Sequence, residues 1–172
     1  MAKAQKKPVN AALYSSEEKA RRDRSGWTLV QGILAPVQFL VFVISAGLVL
    51  RFLATGEGYE AATLSVILKT LILYTIMVTG AIWEKVVFGQ YLFAPAFFWE
   101  DVVSMLVIAL HTAYLFSWLA NALTPREQML LALAAYLVYV INAAQFLLKL
   151  RKARLQSASY TPSLQQAEGA LS

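Results

Sequence analysis

Six ionisable side chains stand in or beside long apolar runs of this chain: Lys69, Glu84, Lys85, Glu100, Asp101 and His111. A charge held in hydrocarbon costs a few kcal/mol even on lenient insertion scales, so residues of this kind either pair or carry function. Glu100 and His111 are eleven residues apart, which on a helix puts them within about 20° of one face, with Ser104 and Val107 between them. Thr70, Met77 and Glu84 form a heptad stripe, with Lys69 within about 60° of Glu84. If the two segments are neighbours, Glu84 and Glu100 face each other at a cavity mouth, and His111 lies deeper. Two carboxyl groups in a dry site divide into an acid and a base. A histidine beside them can ligate a metal or move a proton. None of these spacings forms a strong metal signature. Structural roles compete with each assignment. Glu84 with Lys85, and Glu100 with Asp101, suit a membrane surface, and the acidic pair suits the first turn of a helix. His111 can be a satisfied bundle histidine. Lys69 can reach the outer surface or pair with Glu57 or Glu60.

Around these groups stand Trp83, Phe88, Tyr91, Phe93, Phe97, Phe98 and Trp99. Such a density fits both an interfacial aromatic belt and a wall for a large flat ring entering from the membrane.

The elements that must position these residues are four apolar segments. Ser25 to Leu50 has no charge and is long enough at 1.5 Å per residue to cross about 30 Å of hydrocarbon. Trp27 anchors its start, Pro36 is expected to kink it, and Gln31 and Gln38 are expected to face the bundle. A loop from Ala54 to Glu60 leads to a second span, Ala61 to Phe88. Pro95 is expected to open the third helix, which continues without charge from Val102 to Pro125. Thr124-Pro-Arg-Glu127 has the form of a capping box before the fourth span, Gln128 to Leu148, whose polar residues are Asn142 and Gln145. Ser15-Ser-Glu-Glu18 caps a short helix expected to lie along the headgroups.

The chain has 172 residues, 59% hydrophobic and 15% charged, which excludes a disordered protein. Of its 15 lysines and arginines, 11 lie within residues 1–26 and 149–172. With no recognition motif beside them, these charges point to anionic lipid rather than nucleic acid. No cysteine is present, which excludes disulfides, thiolate nucleophiles and iron–sulfur clusters. No cleavable leader is expected. Four spans place both basic tails on one side, cytoplasmic by the positive-inside rule. The expected architecture is an all-α integral membrane protein with four transmembrane helices in an antiparallel bundle. It divides into a basic N-terminal segment (1–24), a transmembrane domain (25–152) and a disordered cytoplasmic tail (153–172).

The runs Arg-Arg-Asp-Arg-Ser-Gly-Trp27, Tyr74-Thr-Ile-Met-Val-Thr-Gly80, Ile82-Trp-Glu-Lys-Val-Val-Phe-Gly89, Ala94-Pro-Ala-Phe-Phe-Trp-Glu-Asp101, Ala109-Leu-His-Thr-Ala-Tyr114 and Asn142-Ala-Ala-Gln-Phe-Leu-Leu-Lys149 resemble the 3-vinyl (bacterio)chlorophyllide hydratase family of bacteriochlorophyll biosynthesis. The resemblance covers roughly residues 21–154. It implies addition of water to the vinyl group on ring A of a magnesium chlorin, giving a hydroxyethyl arm. It also implies a multi-pass protein of the cytoplasmic or intracytoplasmic membrane of a phototrophic bacterium, with other pigment-biosynthesis enzymes or further copies of itself as partners. The magnesium arrives with the substrate, and no other cofactor is expected. The resemblance brings no catalytic residues with it. On the chemistry alone Glu84, Glu100 and Asp101 share the acid and base roles, with Glu100 first choice for the acid. His111 is assigned as axial magnesium ligand or water-orienting group, Lys85 or Lys149 as partner of the substrate propionate, and Trp83 and Trp99 as walls for the ring. Two alternatives stay open: a non-catalytic tetrapyrrole carrier or photosynthetic assembly factor, and a proton-coupled transporter using Lys69, Glu84 and His111.

Overall fold

A computed structural model describes residues 13–169, with side chains described to Leu155. The described residues are helical with no strand: α1 (Ser16–Arg24), α2 (Gly26–Thr55), α3 (Tyr59–Phe88), α4 (Phe98–Leu119) and α5 (Pro125–Gly169). Helices α2, α3 and α4, and α5 as far as Leu155, are each long and apolar enough to cross a membrane. Large side chains such as Leu29, Phe39, Leu64, Phe116 and Leu137 are exposed on their outer faces. Water would penalise that surface and lipid would not.

Local chemistry sets the boundaries. Ser15 and Glu18 form a reciprocal capping box at α1, and Ser25 caps α2. Gly56 and Gly89, at φ 76° and 86°, end α2 and α3 in the left-handed conformation that glycine adopts without strain. Thr124 and Glu127 cap the start of α5, with Pro125 as its first residue. Pro95 does not open α4. It is the second residue of a turn closed by the Phe97 N–H on the Ala94 carbonyl at 2.8 Å, and α4 starts at Phe98. Proline's fixed φ suits that turn position as well as it suits a first helical turn. α2 passes through Pro36 as a continuous helix. Residues 153–169 continue α5 where a disordered tail was expected. Residues 1–12 and 170–172 of the two expected tails lie outside the described residues.

α2 packs chiefly on α3 and α4 chiefly on α5, while α3 and α4 touch sparsely. Cross-helix pairs fix the register. Thr28 bonds Trp83, Gln31 bonds Thr79, and Ser45 bonds Ser65, so residue numbers fall along α3 as they rise along α2. At one end the two helix pairs close on a solid core of Val49, Ala62, Val66, Tyr114, Met129, Ala132 and Tyr136. A smaller cluster of Leu73, Val107 and Tyr139 lies next to it. Beyond that cluster, toward α1, the pairs part and leave a hollow.

Candidate active site

The hollow is a cavity of about 1810 Å³ lined by all five helices. It exceeds the ~300–1,000 Å³ that holds ordinary small ligands. Leu73, Val107, Tyr139 and Gln38 line it beside the solid core. Trp83, Glu84, Phe97, Asp101 and Phe146 line its middle, and Lys19, Arg22 and Arg154 its α1 end.

Glu84 and Asp101 meet in this cavity. They are 5% and 3% exposed, and their carboxyl groups are hydrogen-bonded to one another. Such a bond needs one carboxyl to carry a proton, because an ionised carboxylate only accepts. The Gly89–Phe97 connection holds the pair in place. The Phe93 N–H donates to Asp101 Oδ2 at 2.7 Å, and the Ala94 N–H donates to Glu84 Oε2 at 3.2 Å. To aim these two successive donors Phe93 sits at φ 59°, a left-handed conformation that a bulky side chain adopts only at a cost of order 1–3 kcal/mol.

Glu100 does not join them. Its Oε2 takes a 2.5 Å ion pair from Lys149 and it does not line the cavity. One helical position separates Glu100 from Asp101, and that 100° turn aims Glu100 toward α5. Its backbone carbonyl accepts from Ser104 Oγ and Asn142 Nδ2, each at 2.8 Å, so this part of the stripe ties α4 to α5. Lys149 is thereby occupied. Lys85 is exposed, donates to the Gly89 carbonyl at 2.8 Å and lies 5.3 Å from the Tyr91 ring. Neither lysine lines the cavity.

His111 is fully buried in α4 and does not line the cavity. Its Nδ1 lies 2.8 Å from the Val107 carbonyl, which can only accept, so Nδ1 carries the proton. Nε2 is left to accept from Lys69 Nζ at 2.9 Å. Both ring nitrogens are therefore engaged within the protein. Lys69 is fully buried as well, so it neither reaches the outer surface nor pairs with Glu57 or Glu60; its ammonium sits 4.0 Å from the centre of the Tyr139 ring. Tyr139, whose ring lies against Lys69, also lines the cavity.

The aromatic cluster divides in two. Trp83, Phe88 and Phe97 pack edge to face at 5.7–5.8 Å, and Phe97 stacks on Phe146. Trp83 donates its indole N–H to Thr28. Trp99, 69% exposed, faces outward with Tyr91, Phe93 and Phe98, as an interfacial belt would. Trp99 is thus no wall of the cavity, because its position on α4 is turned about 160° from that of the cavity-lining Asp101 at 100° per residue.

Sequence reasoning missed four features of this site. The Phe93 and Ala94 donors are backbone groups, which no residue type announces. Lys19 and Arg154 were read only as tail charges. Lys19 lies on α1, which is moored by Arg21 on the Val87 carbonyl at 2.9 Å and by Tyr14 stacked on Phe88. Burial pushes the Tyr14 phenol above its ordinary pKa, against the opposing influence of Arg22. Gln38 was expected to face the bundle. It does so at 1% exposure, lining the cavity with neither side-chain polar atom hydrogen-bonded.

The sequence matches the model of the 2-vinyl bacteriochlorophyllide hydratase family over residues 14–152. Two relatives carry that name. The one from Rhodobacter capsulatus is 70% identical over 152 residues, 88% of each chain. The one from Cereibacter sphaeroides is 72% identical over 144 residues, 83% of this chain and 89% of the relative. The 2-vinyl of these names and the 3-vinyl of systematic numbering denote the same ring A substituent. No solved structure matches.

Proposed function

This chain belongs to the 2-vinyl bacteriochlorophyllide hydratase family and is a hydratase of bacteriochlorophyll biosynthesis, and we propose that it adds water at the Glu84–Asp101 pair. The observation that carries this assignment is the hydrogen-bonded carboxyl pair lining the cavity beside Trp83 and Phe97.

Hydration places a proton on the terminal vinyl carbon and a hydroxyl on the carbon next to the ring. The protonated member of the pair gives its proton to the terminal carbon, and the vinyl π electrons form the new C–H bond. The cation left beside the macrocycle is delocalised into it and stabilised by the ionised partner. Water attacks that carbon, and the partner carboxylate takes the released proton. The proton has then moved from one carboxyl to the other, and their shared hydrogen bond offers the return path. The Phe93 and Ala94 N–H groups hold one oxygen of each carboxyl throughout. These steps need no cofactor beyond the magnesium carried by the substrate.

Trp83, Phe97 and Phe146 wall the ring. Lys85 and Lys149 do not line the cavity, whereas Lys19, Arg22 and Arg154 bring positive charge to its α1 end. His111 is a buried partner of Lys69 and takes no part as a magnesium ligand.

The bundle is antiparallel and multi-pass, a reading supported by the four apolar helices and by the cross-helix register. The basic tails favour a cytoplasmic location for both termini, with α1 at the headgroups of the cytoplasmic or intracytoplasmic membrane. Incubating the purified protein with vinyl pigment tests the function. A gain of one water in pigment mass is expected, and pigment bound but unchanged would instead support a carrier.

A further inference from the structure

On α2, three polar residues recur at seven-residue intervals on one face: Gln31, Gln38 and Ser45. The outer two have partners across the bundle. Gln31 donates to Thr79 at 2.8 Å, and Ser45 bonds both Ser65 and Tyr136. The same register sets Gln38 opposite Ile72 and Leu73, which offer no side-chain hydrogen bond. Its amide is buried, and both polar atoms lack a partner. A buried primary amide carries two N–H donors and a carbonyl, so an unpaired one lining a cavity marks the place of a polar ligand group.

Gln38 also stands at a distinctive depth. Leu73 and Glu84 both line the cavity from α3, eleven residues apart, or about 16 Å along the helix axis. That is on the scale of a tetrapyrrole with its substituents. A chlorophyllide holding its vinyl arm at Glu84 and Asp101 extends its opposite edge toward Gln38. The ring opposite the vinyl-bearing one carries a fused cyclopentanone, whose ketone oxygen is an acceptor.

We infer that Gln38 is a substrate-positioning residue that donates an amide N–H to the ring ketone of the macrocycle. The inference rests on the cavity being the macrocycle site. It does not rest on which groups move protons. The contact fixes the long axis of the ring and so sets the vinyl arm, rather than another edge, against the carboxyl pair. It also selects pigments that carry the ketone over those in which it is reduced.

The test uses the full-length protein in lipid nanodiscs with bound pigment. Resonance Raman spectra report the ketone stretch, which hydrogen bonding lowers. The wild-type complex is expected to show the lowered band, and Gln38→Leu and Gln38→Met the unbonded one. Affinity for the keto pigment is expected to fall about 5- to 15-fold, as for loss of one hydrogen bond. Affinity for a pigment with the ketone reduced to methylene is expected to be the same in variants and wild type. Pigment-free Gln38→Leu is expected to melt no lower than wild type, because it removes an unpaired polar group; a residue that served only the fold would lose stability instead. An identical ketone band in wild type and both variants overturns the inference. So does an equal affinity loss for keto and methylene pigments. Normal hydration by Glu84 and Asp101 variants, with the ketone band still following Gln38, would remove the proposed acid–base pair and leave this contact standing.

Discussion

The Phe93 N–H donates to Asp101 Oδ2 at 2.7 Å, and this one contact links backbone strain to chemistry. Phe93 reaches it only through a left-handed backbone, and the next residue, Ala94, then presents its own N–H to Glu84. A connection between two helices thereby holds one carboxyl from each at a fixed separation. Strain of this kind persists only where the surroundings enforce it. Here the turn at Ala94–Phe97 and the packing of Phe97 on Trp83 and Phe146 do so.

The Glu100–Lys149 pair is expected to serve stability more than turnover. Its carboxylate is nearly buried and its ammonium partly exposed, so loss of one partner is expected to cost about 2 kcal/mol, between the values for surface and buried pairs. Thermal melts of Glu100→Gln and Lys149→Met should show that loss. Turnover of the folded fraction should stay within a few-fold of wild type.

His111 and Lys69 are expected to behave as one unit. Removing either leaves the other buried without its partner, so His111→Leu and Lys69→Met should each destabilise by roughly 1–3 kcal/mol. The double variant should recover much of the loss, because both polar groups are gone. Melting curves of the four proteins complete that cycle. Absorption bands sensitive to magnesium ligation should be unchanged for pigment bound to His111→Leu. A shift to the spectrum of pigment without the histidine ligand would restore the axial role.

Much of the fold was legible in the sequence, because apolar length and capping residues dictate helices in a chain with few charges. The Ser15–Glu18 and Thr124–Glu127 boxes lie where their spacing put them. The stripe Glu100, Ser104, Val107, His111 is buried along its whole length. What periodicity left open was which neighbour each buried face meets. Asp101 and Glu100 both head into the protein, but only Asp101 turns to α3, while Glu100 finds Lys149 on α5. The depth of His111 identified a residue with a reason to be buried. It left open that Lys69, from the adjacent helix, would supply the reason. Trp83 and Trp99 looked equivalent by type, and only the turn at Pro95 decides which faces inward.

The central claim is that Glu84 and Asp101 exchange the protons of hydration. Its most direct measurement is the single-turnover rate of vinyl-pigment hydration by Glu84→Gln and Asp101→Asn, read as pigment mass, with pigment binding measured in parallel. Each variant is expected to bind pigment within a few-fold of wild type and to hydrate it about 10²–10⁴-fold more slowly. Hydration at the wild-type rate by a folded protein carrying both substitutions would contradict it.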